Sequence, residues 1–270
     1  MVYMDINEIK MGIVKCVDNV RRYLLGETPR GIVGNNVSGD ISKEFDLIAE
    51  DILSNCLREV LGEVMIIGEE RGLRQYGSRW IAIIDPVDGS TNYDAEIPWA
   101  SISIAIARGG RSNTLKDIEF AIVSEIFRDR MYVYDYGDVR IGERKIYRGV
   151  IPKPIVLGYF ESYSTYKPLE NYIRNRNEKL TIRSLGSAAL DIVYVGMGNA
   201  EVFIDARAKL RNVDISAALR IAMALGAKAY VCDYRDPLDI PIDRIERIKF
   251  ILVGFNDRYL DIALSSMNIH

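Results

Sequence analysis

Asp85-Pro86-Val87-Asp88-Gly89-Ser90 places two carboxylates three residues apart, at the end of the apolar run Ile81-Ala82-Ile83-Ile84. Acids so placed are awkward unless a cation holds them together. Pro86 fixes one φ angle and stiffens the turn, and Gly89 lets backbone come close to a ligand. The N–H groups of Gly89, Ser90 and Thr91 can then open a helix or a nest that takes an anion. Carboxylates for cations thus sit beside amides for a phosphate; the plainer reading is an acidic turn with an Asx cap. Glu69-Glu70 also follows a short apolar run, Val64 to Ile67, and can reach the same sheet edge, although alone it reads as a solvated turn. Asp214 begins an apolar helical stretch, where an acid also serves simply to offset the helix dipole. Together these acids form an all-oxygen set. Hard cations such as Mg²⁺ or Mn²⁺ prefer such donors, and several carboxylates can hold two or three ions, with roughly 3.5–4 Å between a pair suited to in-line attack on phosphorus.

The rest of the composition narrows the chemistry. The 270 residues contain one histidine, His270. A terminal residue is poorly suited to catalytic geometry, so Ser-His-Asp hydrolysis, Cys-His proteolysis and His-ligated zinc are excluded within one chain. General acid–base work falls to carboxylates, hydroxyls, Lys, Tyr or a metal-activated water. With 35 Lys+Arg against 38 Asp+Glu, the net charge of −3 gives no general attraction for nucleic acid or an anionic membrane. Cys16, Cys56 and Cys232 lie among apolar neighbours without a CxxC and read as buried thiols of a reducing compartment. No apolar run approaches the roughly 20 residues of a membrane span, and the N-terminus lacks a signal-peptide apolar region; the expectation is a cytoplasmic protein. A single glutamine, Gln75, among many charges hints at a thermophile.

Positioning those acids requires alternating elements. Ile6, Ile9, Ile13, Val17, Val20 and Leu24 keep helical spacing over 5–25, with Gly26 as a stop. The Gly- and Asn-rich 26–40 reads as a loop. A second helix follows Ser42 as N-cap, with Phe45, Ile48, Ala49, Ile52, Cys56 and Val60 inward and Asp46 and Glu50 together beside that face. Short apolar runs predict strands at 64–67, 80–84, 101–107, 118–126 and 130–134. Turn residues crowd 136–154, suggesting two halves, 1–137 and 153–270. In the second half, strands are expected at 155–159, 202–204, 229–232 and 250–253, and helices near 185–192, 214–225 and 257–266. The mixture indicates a layered α+β or α/β protein.

Gly68-Glu69-Glu70, Asp85-Pro86-Val87-Asp88-Gly89-Ser90-Thr91-Asn92-Tyr93 and Val213-Asp214-Ile215-Ser216-Ala217, in this order and spacing, resemble the inositol monophosphatase family, over nearly the whole chain. That family belongs to the lithium-sensitive, Mg²⁺-dependent sugar phosphatases that include fructose-1,6-bisphosphatase. The stretch Asp205-Ala206-Arg207-Ala208-Lys209-Leu210-Arg211 looks like its archaeal branch, which handles both inositol phosphate and fructose bisphosphate. The resemblance implies an α-β-α-β-α sandwich of the α+β class and a homodimer. It implies that Glu69, Asp85 and the Val87 carbonyl hold a first Mg²⁺, that Asp85, Asp88 and Asp214 hold a second, and that Glu69 faces a third, with Asp46 near its waters. Gly89 and Ser90 amides would bind phosphate, and Ser90 with Asp46 would orient the attacking water. Gly186, Ser187 and Ala188 would begin a helix bordering the substrate, and Asp205 would bind sugar hydroxyls. Two residues depart from the family pattern: Ser90 replaces its usual Thr, keeping the hydroxyl, and Val213 replaces its usual Trp.

Arg207, Lys209 and Arg211 read either as a grip on a second phosphate or as a solvated basic stretch, and the aromatics of 159–166 either as a border to the sugar or as a strand end with surface tyrosines. The resulting expectation is a Mg²⁺-dependent phosphomonoesterase acting on inositol-1-phosphate, fructose-1,6-bisphosphate or both. The alternatives are a 3′-phosphoadenosine 5′-phosphate phosphatase, for which this length leaves little room, and a regulatory protein of the same fold that contacts RNA or RNA polymerase, which would not need all five acids.

Overall fold

The computed structural model describes residues 5–35, 41–110, 113–146 and 151–266. His270 lies outside the described residues, as does part of the 26–40 stretch. Regular apolar spacing produces α1 (Ile6–Leu24), which buries Ile9, Ile13, Cys16, Val17, Val20 and Leu24. Within the region read as loop, β1 (Ile32–Asn35) pairs antiparallel with β2 (Ile41–Lys43). Next comes α2 (Glu44–Leu61), whose N-cap is Lys43 rather than Ser42: the Ser42 hydroxyl instead donates to the Glu70 carboxylate.

Then follow β3 (Val64–Gly68), β4 (Gly72–Gln75), β5 (Trp80–Asp88), the one-turn α3 (Ser90–Asp94), β6 (Ser101–Arg108), β7 (Ile118–Glu125), β8 (Met131–Asp135), β9 (Asp138–Ile141) and β10 (Arg144–Lys145). They form one sheet in the order β10-β9-β8-β7-β6-β5-β3-β4. β3 and β5 are parallel, so both run toward the same sheet edge and carry their acids there. The later half supplies β11 (Ile155–Gly158), α4 (Tyr163–Arg176), β12 (Thr181–Arg183), α5 (Ala188–Gly196), β13 (Val202–Asp205), α6 (Asn212–Ala224), β14 (Lys228–Val231), β15 (Ile251–Gly254) and α7 (Asp257–Ser266). Its sheet runs β12-β11-β13-β15-β14.

Strand side chains alternate between faces, and that alternation builds the layers. On the large sheet Ile66, Ala82, Ile84, Ile104 and Ile106 face α1 and α2. Their neighbours Ile67, Ile81, Ile83, Ala105 and Ala107 face α5 and α6, which also pack on Leu157, Phe203, Ile251 and Val253 of the small sheet. The far side of that sheet, Val156, Val202, Ile204 and Leu252, meets Leu169 and Tyr172 of α4 and Leu260 and Ala263 of α7. The result is the α-β-α-β-α sandwich expected of an α+β chain.

Two sequence readings are corrected. Cys16 and Cys56 are not thiols but form a disulfide. Each occupies a position where α1 and α2 face one another, so residues separated by 40 in sequence come to a Cα–Cα distance of 5.6 Å. Cys232 is a free, partly buried thiol. Helix α4 was not anticipated: its composition is polar and it contains Pro168, yet Ser162 caps its start, accepting a hydrogen bond from the Thr165 N–H.

Candidate active site

The ends of β3 and β5 and the start of α6 meet at a cavity of about 320 Å³, lined among others by Glu69, Asp85, Val87, Asp88, Gly89, Ser90, Tyr159, Glu161, Gly186, Arg207 and Asp214. Glu69, Asp85 and Asp214 each offer a carboxylate oxygen, and the three oxygens lie within 4.8 Å of one another. They come from three separate segments, so only the tertiary fold assembles them. Burial, then Glu69, Asp88 and Asp214, hold the Asp85 carboxyl well above its ordinary range. Burial, then Asp214, does the same to Glu69, against the pull of Arg211. Carboxylates that resist ionisation because they face one another are stabilised as anions by a cation placed among them. The all-oxygen donor set therefore fits a hard divalent ion.

Each acid is held in place from behind. The Asp85 carboxylate accepts from the Val87 N–H at 3.0 Å, stiffening the turn. Asp88 accepts from the Ala188 and Ala189 N–H groups at 3.1 and 2.9 Å, and from the hydroxyls of Ser187 and Ser101. Ser187 and Ala188 thus turn toward Asp88, which sits on the N-terminus of α5. Burial pushes Asp88 up to about 7 despite these donors. The backbone N–H of Arg211 donates to Asp214 at 2.7 Å.

Gly89 adopts φ 88° and ψ 38°, a left-handed conformation. A Cβ there would lie 2.9 Å from the Gly186 carbonyl oxygen. Gly186, at φ 95°, would bring a Cβ against the Asn92 amide, which donates to the Trp99 and Leu185 carbonyls at 2.8 and 2.6 Å. Asn92 thereby ties the turn after β5 to the segment entering α5. Ser90 begins α3 beside the acids. Asp46 is buried on α2, where burial and then Glu70 push it up to about 8. No hydrogen bond joins Asp46 to Ser90 among the described residues.

The opposite wall differs from the sequence expectation. Asp205 is buried, and Arg207 engages both its oxygens: the Arg207 N–H donates to Oδ1 at 2.8 Å, while Nε and Nη2 donate to Oδ2 at 2.9 and 2.7 Å. Arg207 also donates to Glu161 at 2.7 Å and stacks 3.6 Å above the Tyr159 ring. The groups meeting the cavity here are Arg207, Tyr159 and Glu161. Of the three alternating cations, Lys209 is exposed, Arg207 is partly buried and Arg211 is buried. Tyr163 and Tyr166 are exposed.

Glu50 is a supporting residue whose role sequence reasoning did not identify. It is wholly buried. It accepts from the N–H groups of Glu70 and Arg71 at 2.7 and 3.1 Å and from Arg74 at 3.0 Å, clamping the turn that bears Glu69. The available signal was its position four residues after Asp46 on a helix that must be buried against a sheet.

The chain matches the inositol monophosphatase family over residues 6–245. It is 32% identical over 241 residues to an inositol-1-monophosphatase of Aeropyrum pernix, covering 86% of this chain and 87% of that protein. It is 28% identical over 264 residues to a fructose-1,6-bisphosphatase/inositol-1-monophosphatase of Methanocaldococcus jannaschii, covering 97% and 99%. The crystal structure of an inositol monophosphatase–fructose 1,6-bisphosphatase superposes with a TM-score of 0.76 at 26% identity, covering 97% of this chain and all of that one.

Proposed function

Because the chain belongs to the inositol monophosphatase family, we infer that the acidic cavity is the centre at which it hydrolyses a phosphate ester. The protein is a phosphatase of sugar or inositol phosphates. The observation that carries the assignment is the convergence of Glu69, Asp85 and Asp214 beside the left-handed turn at Gly89. We propose two or three Mg²⁺ ions, with Mn²⁺ able to substitute, held by Glu69, Asp85, the Val87 carbonyl, Asp88 and Asp214. Mg²⁺ held there supplies Lewis acidity toward the phosphate and a water.

The remaining steps belong to the chain itself. The Gly89 and Ser90 amides hold the phosphate, and the Ser90 hydroxyl aims the attacking water. Asp46, whose carboxyl burial and then Glu70 push up to about 8, takes a proton from it when ionised. Gly186 leaves room at the edge of the phosphate, with Ser187 and Ala188 fixing Asp88 behind it. Arg207 addresses the sugar or a distal phosphate, with Asp205 locking its guanidinium from behind. In this reading 1–137 contributes most of the metal ligands and 153–270 contributes Asp214 and the substrate side. We further propose a cytoplasmic homodimer; no helix among the described residues is long and apolar enough to cross a membrane.

The test is phosphate release from inositol-1-phosphate, fructose-1,6-bisphosphate and 3′-phosphoadenosine 5′-phosphate, with Mg²⁺ or with chelator. The expected result is Mg²⁺-dependent release from the first two and loss of activity in Asp85→Asn. Full activity in chelator, or in Asp85→Asn, overturns the metal assignment. Preference for the phosphoadenosine substrate changes the substrate class. No release from any substrate leaves a regulatory role of the fold.

A further inference from the structure

Arg211 stands where local rules disfavour it. It is the N-cap of α6, a position that prefers Ser, Thr, Asp or Asn, and a cation at a helix N-terminus opposes the helix dipole. It is also 6% exposed, and a buried guanidinium needs acceptors. The structure supplies them from the acidic cluster. The Arg211 Nη2 donates to Glu69, and its Nε lies 3.9 Å from Asp214. Its backbone N–H meanwhile holds the same Asp214 oxygen at 2.7 Å. One residue therefore touches two of the three acids whose oxygens converge, fixing one with its backbone and bringing positive charge to the other.

We propose that Arg211 is a built-in counter-cation of the acidic cluster, which holds Glu69 beside Asp214 in the metal-free protein and is displaced from Glu69 when a divalent ion is taken up there. The inference rests on the reading that the cavity binds metal. Its physical basis is competition: guanidinium and a divalent cation seek the same carboxylate and repel one another. The guanidinium prevents three facing acids from splaying apart before an ion arrives, but its presence weakens the affinity for the ion that follows. A tethered, planar donor can withdraw by side-chain rotation, leaving the backbone contact to Asp214 intact.

The experiment is titration of chelator-stripped protein with Mn²⁺, followed by calorimetry, for the parent and Arg211→Met. Methionine keeps much of the apolar stem while removing the charge. The expected result is a dissociation constant at least tenfold lower in Arg211→Met. An unchanged or higher constant overturns the proposal while leaving the metal site standing; a parent that binds no Mn²⁺ overturns both. Should Arg211→Met fail to fold, the parent itself is decisive through its arginine side-chain Nε–Hε signals. The Arg211 signal, assigned by its loss in Arg211→Lys, should shift as Mg²⁺ saturates the protein. A signal that stays still at saturation overturns the proposal.

Discussion

Glu50→Gln removes charge from the clamp beneath Glu69 while keeping its shape. The native carboxylate accepts two backbone N–H groups and Arg74. Wherever the new amide nitrogen points, it faces a donor instead of an acceptor, and a buried unmatched donor costs about 1–3 kcal/mol. Loss of the charge also weakens the contact with Arg74, but Arg74 keeps Asp51 and Ser54 as partners. Burial holds the Glu50 carboxyl above its usual range, against the pull of the backbone N–H groups and Arg74. The total expected loss is about 2–3 kcal/mol. For a chain of this size that lowers the melting temperature by roughly 4–10 °C. Because the clamped turn bears Glu69, Mn²⁺ affinity should fall with it, by about tenfold for each 1.4 kcal/mol of misplacement. Calorimetric melting of chelated protein and Mn²⁺ titration measure the two effects. A variant that melts within about a degree of the parent and binds Mn²⁺ equally well would refute the reasoning.

Ser90→Ala should lower kcat by about 10²–10⁴ with little change in KM, since the Ser90 amide survives, whereas Ser90→Thr should stay within roughly tenfold of the parent; steady-state kinetics at saturating Mg²⁺ separates them. Arg207→Ala should depress activity on fructose-1,6-bisphosphate more than on inositol-1-phosphate, and equal losses would assign Arg207 to structure or to the scissile phosphate. Asp46 has a folded-state pKa of about 8, against 3.8 as its ordinary value. Its stabilisation is fully present below the unfolded pKa and is lost as pH rises through the folded one, so chelated protein should melt progressively lower from pH 4 to 8. Glu69, Asp85 and Asp88, shifted in the same direction, add to that slope, so Asp46→Asn should make it shallower without abolishing it; an unchanged slope would mean Asp46 contributes nothing to it.

Strands β3, β5, β6 and β7 were legible because each is an apolar run buried on both faces, whereas β4, β9 and β10 are short and polar and left no such mark; the acids were legible because they stand where the runs of β3 and β5 end. The parallel pairing of β3 and β5 then carries Glu69 and Asp85 to one edge, a relation that spacing alone allows but does not require. Helix α4 was hidden because its buried positions, Leu169 and Tyr172 among them, are separated by polar residues and preceded by Pro168. Ser42 satisfied the preference for an N-cap, yet Glu70, distant in sequence, competed for its hydroxyl. Arg207 and Arg211 looked alike in an alternating basic stretch. Their fates depend on Asp205, Glu161 and Glu69, brought close only by folding. The cysteine pair was invisible for the same reason: nothing local marks that the faces of α1 and α2 carrying Cys16 and Cys56 will meet.

The disulfide between Cys16 and Cys56 changes what a broken chain would look like. Its loop of 40 residues contains the hairpin of β1 and β2 and the helical turn bearing Asp46 and Glu50. A chain-entropy estimate for closing such a loop is about 4 kcal/mol. A protease that cuts within 26–40 would therefore yield two pieces still joined through sulfur, with α1 unable to diffuse from the helix that supports Glu69. Such nicked protein should migrate as one species without reductant and as two with it, and should keep its activity until the thiols are freed.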